Sequence, residues 1–151
     1  MCIMSDGTGF LISDVSRLLR REFDARARAI GVTRAQWRAL LALSRAEGIN
    51  QGALADRLEV EPITLCRMVD RLADAGLVER RRDPADRRAW NIYLTDRARP
   101  LIEQLNGIAG DLLAVAFDGI EQPARDALAA TLRRIHANLS VSDPKDQAAH
   151  G

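Results

Sequence analysis

The apolar residues Leu11, Val15, Leu18, Leu19 and Phe23 recur at helical spacing, so the stretch from Phe10 to Ile30 predicts an amphipathic helix. Arg17, Arg20, Arg21, Arg26 and Arg28 are threaded between them, and Gly31 suits the left-handed stop that follows. Thr33 and Gln36 stand in capping-box spacing and open a second helix, which carries Trp37, Leu40, Leu41 and Leu43 and ends by Gly48. Asn50 is a good N-cap for a short helix Gln51–Leu58, and Pro62 a good early residue for another that reaches Ala75 and stops at Gly76. Small Ala55, set against Leu65 and Met68, lets these two short helices cross closely. After Gly76 the period changes. Leu77–Arg82 and Trp90–Leu94 read as short strands around the polar, Pro-containing tip Asp83–Ala89. From Thr95 helix returns, with Leu101, Leu105, Ile108, Leu112 and Val115 forming a seam interrupted by Gly107 and Gly110, which predict a bend or a close helix crossing. Gly119 and Pro123 bracket a turn before a last helix bearing Leu128, Leu132, Ile135 and Leu139, and residues 141–151 are expected to be a disordered tail.

This order predicts a mainly α fold with a small β-hairpin wing: a winged helix-turn-helix flanked by helices. In such a fold the second short helix enters a DNA major groove and the hairpin tip reaches an adjacent minor groove. On that helix Leu65, Met68, Val69 and Leu72 share the core face. Pro62, Ile63, Thr64 and Arg67 are left as groove candidates, with Arg67 suited to a guanine edge and Thr64 to a phosphate or a thymine methyl.

Composition changes the picture in one respect. The 151 residues hold 22 Lys+Arg against 21 Asp+Glu, a formal charge of +1, yet Lys145 is the only lysine. Arginine binds phosphate and carboxylate through a planar fork, which a lysine lacks. Residues 49–99 carry ten positive and nine negative charges, and Arg80–Arg99 alone seven against three, whereas residues 100–151 carry four against seven. Positive charge therefore gathers on the wing, where Arg81, Arg82, Arg87 and Arg88 are candidates for a narrow minor groove and Asp86 for an ion pair that shapes the tip. The 47% apolar and 28% charged composition excludes overall disorder, and six aromatic residues speak against an aromatic-rich β-sandwich.

The run from Glu61 to Arg80, followed by Asp86-Arg87-Arg88 and Ile92-Tyr93-Leu94-Thr95, resembles the MarR family of bacterial transcriptional regulators. Within it, the Leu-Cys-Arg of the recognition helix and Pro100 are most similar to the SlyA branch. The resemblance covers roughly residues 10–140. It implies a homodimer in which residues 10–48 and 96–140 supply dimerisation and scaffold helices, and residues 49–95 form the DNA-binding winged helix. It further implies a pseudo-palindromic double-stranded DNA operator and a repressor released by a small anionic aromatic ligand. Arg17, Arg20 and Trp37 are the candidates for that effector, since an aromatic face and a guanidinium suit an aromatic carboxylate.

Other classes find less in the sequence. No G-x-S-x-G, phosphate-binding glycine loop or paired Cys is present, so no enzyme is expected. Two cysteines and two histidines without ligand spacing predict neither metal nor cofactor. Cys66, beside the groove candidates, leaves a thiol-redox-responsive regulator open as an alternative, and near-zero net charge leaves open a helical adaptor that binds no DNA. No apolar run reaches membrane-spanning length and the first ten residues lack a secretory pattern, so a cytoplasmic protein without a membrane partner is expected.

Overall fold

The computed structural model describes residues 7–140. The expected disordered tail, residues 141–151, lies outside the described residues. In chain order the elements are α1 (Thr8–Ala29), α2 (Arg34–Arg45), α3 (Gln51–Leu58), α4 (Pro62–Asp74), β1 (Val78–Arg82), β2 (Trp90–Leu94), α5 (Ala98–Ala116) and α6 (Gln122–Ser140).

The helix boundaries follow from local chemistry. At the end of α1, Val32 N donates to Ala27 O and Gly31 N to Arg28 O, with Gly31 at φ 80°. That paired bonding is a Schellman stop, and it needs a left-handed residue that glycine supplies without strain. The same pair closes α4, where Leu77 N donates to Leu72 O and Gly76 N to Ala73 O. Gly76 thereby turns the recognition helix straight into the wing. The capping box of α2 forms as the spacing predicts: Gln36 N donates to Thr33 Oγ1 and Thr33 N to Gln36 Oε1. Asn50 Oδ1 accepts from Gly52 N and Ala53 N at the start of α3.

α1, α2, α3 and α4, the hairpin and the first part of α5 share one core. Leu40, Leu43, Leu54, Leu65, Leu72, Val69, Ile92 and Leu105 are fully buried in it. The hairpin is antiparallel in the register Val78↔Leu94, Arg80↔Ile92, Arg82↔Trp90. Alternation puts Val78, Ile92 and Leu94 on the core side and leaves Glu79 and Arg81 outside. Thr95 closes its base, donating from Oγ1 to Gly76 O at 2.6 Å and from N to Leu77 O. This gives the Leu94-Thr95 pair a structural job at the junction of α4 and wing.

One feature goes beyond the sequence reading and one expectation needs correction. The hairpin does not stand alone, because Gly48 N donates to Ile92 O, Ile92 N donates to Ile49 O, and Asn50 bridges to Asn91. A short extended segment thus borders β2, too brief to show alternation. Nor do Gly107 and Gly110 mark a close crossing within the chain: α5 runs unbroken, and a Cβ at either position would meet nothing within 4 Å.

The chain divides into two compact units, residues up to Leu112 and those from Leu113. In the second, Arg125 ties the turn between α5 and α6, donating to Ile120 O and Phe117 O and lying 5.4 Å from the Phe117 ring centroid. α6 has no buried residue.

Candidate nucleic-acid interface

The candidate interface begins at the N-terminus of α4. Pro62 occupies its first turn, and no side chain caps it. Leu65, Val69 and Leu72 face the core with Met68 half-buried, while Pro62, Ile63, Thr64 and Arg67 are exposed. Ile63 is 66% exposed although it is a large apolar residue. Arg67 forms no ion pair with Asp70 or Asp74.

Asp70 is engaged by Arg80 instead, at 2.6 Å. In the sequence Arg80 is only one more charge in a basic run, and spacing gives no sign of its role. Its guanidinium also donates to Gln51 Oε1 on α3 (3.0 Å) and to the Cys66 carbonyl on α4 (3.2 Å), with the Cys66 thiol 3.9 Å away. Register explains this: Arg80 lies opposite buried Ile92, on the core side of the hairpin. One half-buried side chain therefore ties β1 to both helices of the helix-turn-helix. Cys66 is half-buried beneath this tie.

The other wing arginines divide into supported and free. Arg81 pairs with Glu79 and stacks on Tyr93, 4.1 Å from the ring centroid. Arg82 stacks on Trp90 at 4.3 Å, across the strand from it, and donates to the Arg87 carbonyl. The guanidinium groups of Arg87 and Arg88 are exposed and have no protein partner among the described residues. Asp83 organises the tip: Oδ1 accepts from Ala85 N and Asp86 N, and Oδ2 from Asn91 Nδ2. These bonds, that from Ala85 foremost, hold its carboxyl below the ordinary value. Asp86 does not form the expected ion pair with a nearby Arg; its Oδ1 accepts from the Arg88 backbone N–H at 2.9 Å, an Asx turn within the reach of its short side chain.

The expected effector residues are not gathered. Arg17 pairs with Asp14, and Arg20 donates to Ser16. Trp37 packs edge-on against Phe23, centroids 4.6 Å apart, and its indole N–H donates to Asp24 at 2.7 Å. Asp24 also accepts two bonds from Arg34. Arg34 foremost, with help from Trp37, lowers the Asp24 carboxyl against the opposing effect of burial. A cavity of about 110 Å³ lies elsewhere, lined by Thr33, Ala35, Gln36, Met68, Arg71 and Leu72.

Helix-turn-helix, wing and an arginine-bearing surface together define a winged-helix transcription regulator. A family model described as MarR family matches residues 30–89. A MarR-family transcriptional regulator from Silicibacter pomeroyi is 32% identical, with 86% of this chain and 88% of that one covered at a TM-score of 0.74. The transcriptional regulator PA3341 is 37% identical over 87% and 97% of the two chains, TM-score 0.76. A MarR regulator from Methanosarcina mazei Go1 is 27% identical over 88% and 96%, TM-score 0.74. The chain belongs to the MarR family. Regulators of this family bind DNA and act as dimers, and no helix among the described residues is long and apolar enough to cross a membrane.

Proposed function

We propose that the protein is a homodimeric regulator that binds a pseudo-palindromic operator, its two α4 helices in successive major grooves and its wings in the flanking minor grooves. The observation that carries this reading is the placement of Arg67, Arg87 and Arg88. The three are exposed without ion-pair partners at the two places where a winged helix meets DNA. Pro62, Ile63 and Thr64 accompany Arg67 into the major groove, where the uncapped first turn of α4 also favours a phosphate. Arg81 and Arg82, already oriented on Tyr93 and Trp90, flank the tip that Asp86 shapes.

Dimerisation is supported by apolar side chains that the single chain leaves in water. Phe10, Leu11, Val15 and Leu18 on α1 and Leu128, Leu132, Ile135 and Leu139 on α6 are 36–69% exposed. Stripes of this size call for a partner. Within the family, Leu65-Cys66-Arg67 and Pro100 support the SlyA branch. Release of DNA by a small anionic aromatic ligand completes the proposal on the strength of the family resemblance.

The test is footprinting on the DNA upstream of the protein's own gene, followed by a salt titration of the operator complex. Replacing Arg87 and Arg88 with Ala should weaken binding and reduce the salt slope by about 0.9 for each phosphate that is no longer neutralised. An unchanged slope would remove the wing from the interface, and a dsDNA complex no tighter on the operator than on random sequence would remove the function. Small aromatic carboxylates can then be screened for loss of the complex.

A further inference from the structure

We infer that Ile63 reads the 5-methyl group of a thymine in the operator and, with Arg67, makes a thymine and a guanine about two base steps apart the core of each half-site. This rests on the DNA-binding reading above and assigns its sequence preference. Ile63 is the second residue of α4 and is 66% exposed, while its neighbours Leu65, Val69 and Leu72 are buried. It therefore belongs to the outward face, four residues and one helical turn before Arg67. N-terminal residues of a recognition helix are those that reach base edges.

The chemistry narrows the target. An isoleucine side chain donates and accepts no hydrogen bond, and three of the four bases show no methyl group in the major groove, where their polar groups would lose water against it. The thymine methyl is the apolar feature of the major groove. β-Branching also leaves Ile63 essentially one χ1 well in a helix, so the methyl is met by a side chain already oriented. Thr64 keeps a hydroxyl for phosphate. Arg67, which pairs with neither Asp70 nor Asp74, has its full fork for the O6 and N7 of guanine, while Asp70 is engaged by Arg80. Four residues of helix rise span about 6 Å, against about 3.4 Å per base step, which sets the two-step separation.

The experiment replaces thymine by deoxyuridine, one symmetry-related pair at a time, across the footprinted operator. The substitution removes the methyl and leaves every hydrogen-bonding group in place. For the wild-type protein, one pair should stand out, with binding weakened about three- to fivefold per half-site. Ile63→Ala should bind the thymine operator more weakly and lose its sensitivity at that pair, while Ile63→Val keeps part of it. Thermal melting of both variants excludes a folding defect. A wild-type protein that footprints specifically but ignores uracil at every pair overturns the inference and leaves the DNA-binding reading standing. Sensitivity that persists unchanged in Ile63→Ala gives the methyl to another residue and also overturns it. Absence of any specific footprint overturns both.

Discussion

Gly48 shows how much one residue can carry in this fold. It sits at φ 83°, and a Cβ there would lie 3.1–3.2 Å from the Tyr93 ring. The left-handed backbone therefore favours glycine, and a larger residue would need the tyrosine to give by a few tenths of an ångström. Gly48→Ala should cost about 1–3 kcal/mol in urea unfolding, since the strained backbone and the displaced ring add. Asp24 is a second such residue, its side chain only 12% exposed between α1 and α2. Because its folded carboxyl titrates below the ordinary 3.8, its contribution is complete above that value and is lost as pH falls through the lower, folded one. Urea midpoints measured from pH 7 down to pH 3 should fall more steeply for the wild type than for Asp24→Asn. That variant should already be about 1–2 kcal/mol weaker at pH 7, with Trp37 emission altered. Neither role was legible in the sequence. Gly48 reads as a helix stop and Asp24 as one more acid among arginines, because each depends on a residue far along the chain.

At the scale of elements, most of the fold was legible. The Thr33–Gln36 box, the Asn50 cap, Pro62 and the Gly31 and Gly76 stops act within one helical turn, so sequence spacing carries their full information. Trp90–Leu94 was legible from its apolar, β-prone run. What spacing could not carry is how elements are tied together. Arg80 sits in a run of three arginines, and only the hairpin register directs it inward while Arg81 points out. Likewise Glu59, which takes the left-handed position at the end of α3 at φ 54°, has no local signature. Arg80→Gln should destabilise the protein by about 1–3 kcal/mol, as Gln51, the Cys66 carbonyl and Asp70 all lose their charged donor. It should also weaken operator binding more than Arg81→Ala, although Arg81 is the more exposed. Equal effects in parallel denaturation and gel-shift series would deny Arg80 its positioning role. The candidate interface was legible in part: Arg67, Arg87 and Arg88 are exposed where expected, but that Asp70 pairs with Arg80 on the wing and not with Arg67 on its own helix was not.

For the molecule as a whole, α6 poses the sharpest question, because a 19-residue helix that buries none of its side chains has little holding it in water. Leu128 and Leu132, 44% and 42% exposed, lie one turn apart on its apolar stripe. Leu128→Glu/Leu132→Glu should weaken the dimer at least about 100-fold in sedimentation equilibrium while leaving the winged helix folded. A dimer of unchanged strength would move the interface off α6. The segment at 48–50 has a mechanical consequence for regulation. Asn50 both caps α3 and bridges to β2, Arg80 joins β1 to α3 and α4, and Thr95 fastens the hairpin base to Gly76. Wing and recognition helix are thus one stiff lever. In hydrogen exchange their amides should open together as a single cooperative block, and the effector proposed above would then act by changing the distance between two such levers in the proposed dimer, with little gained by bending the wing.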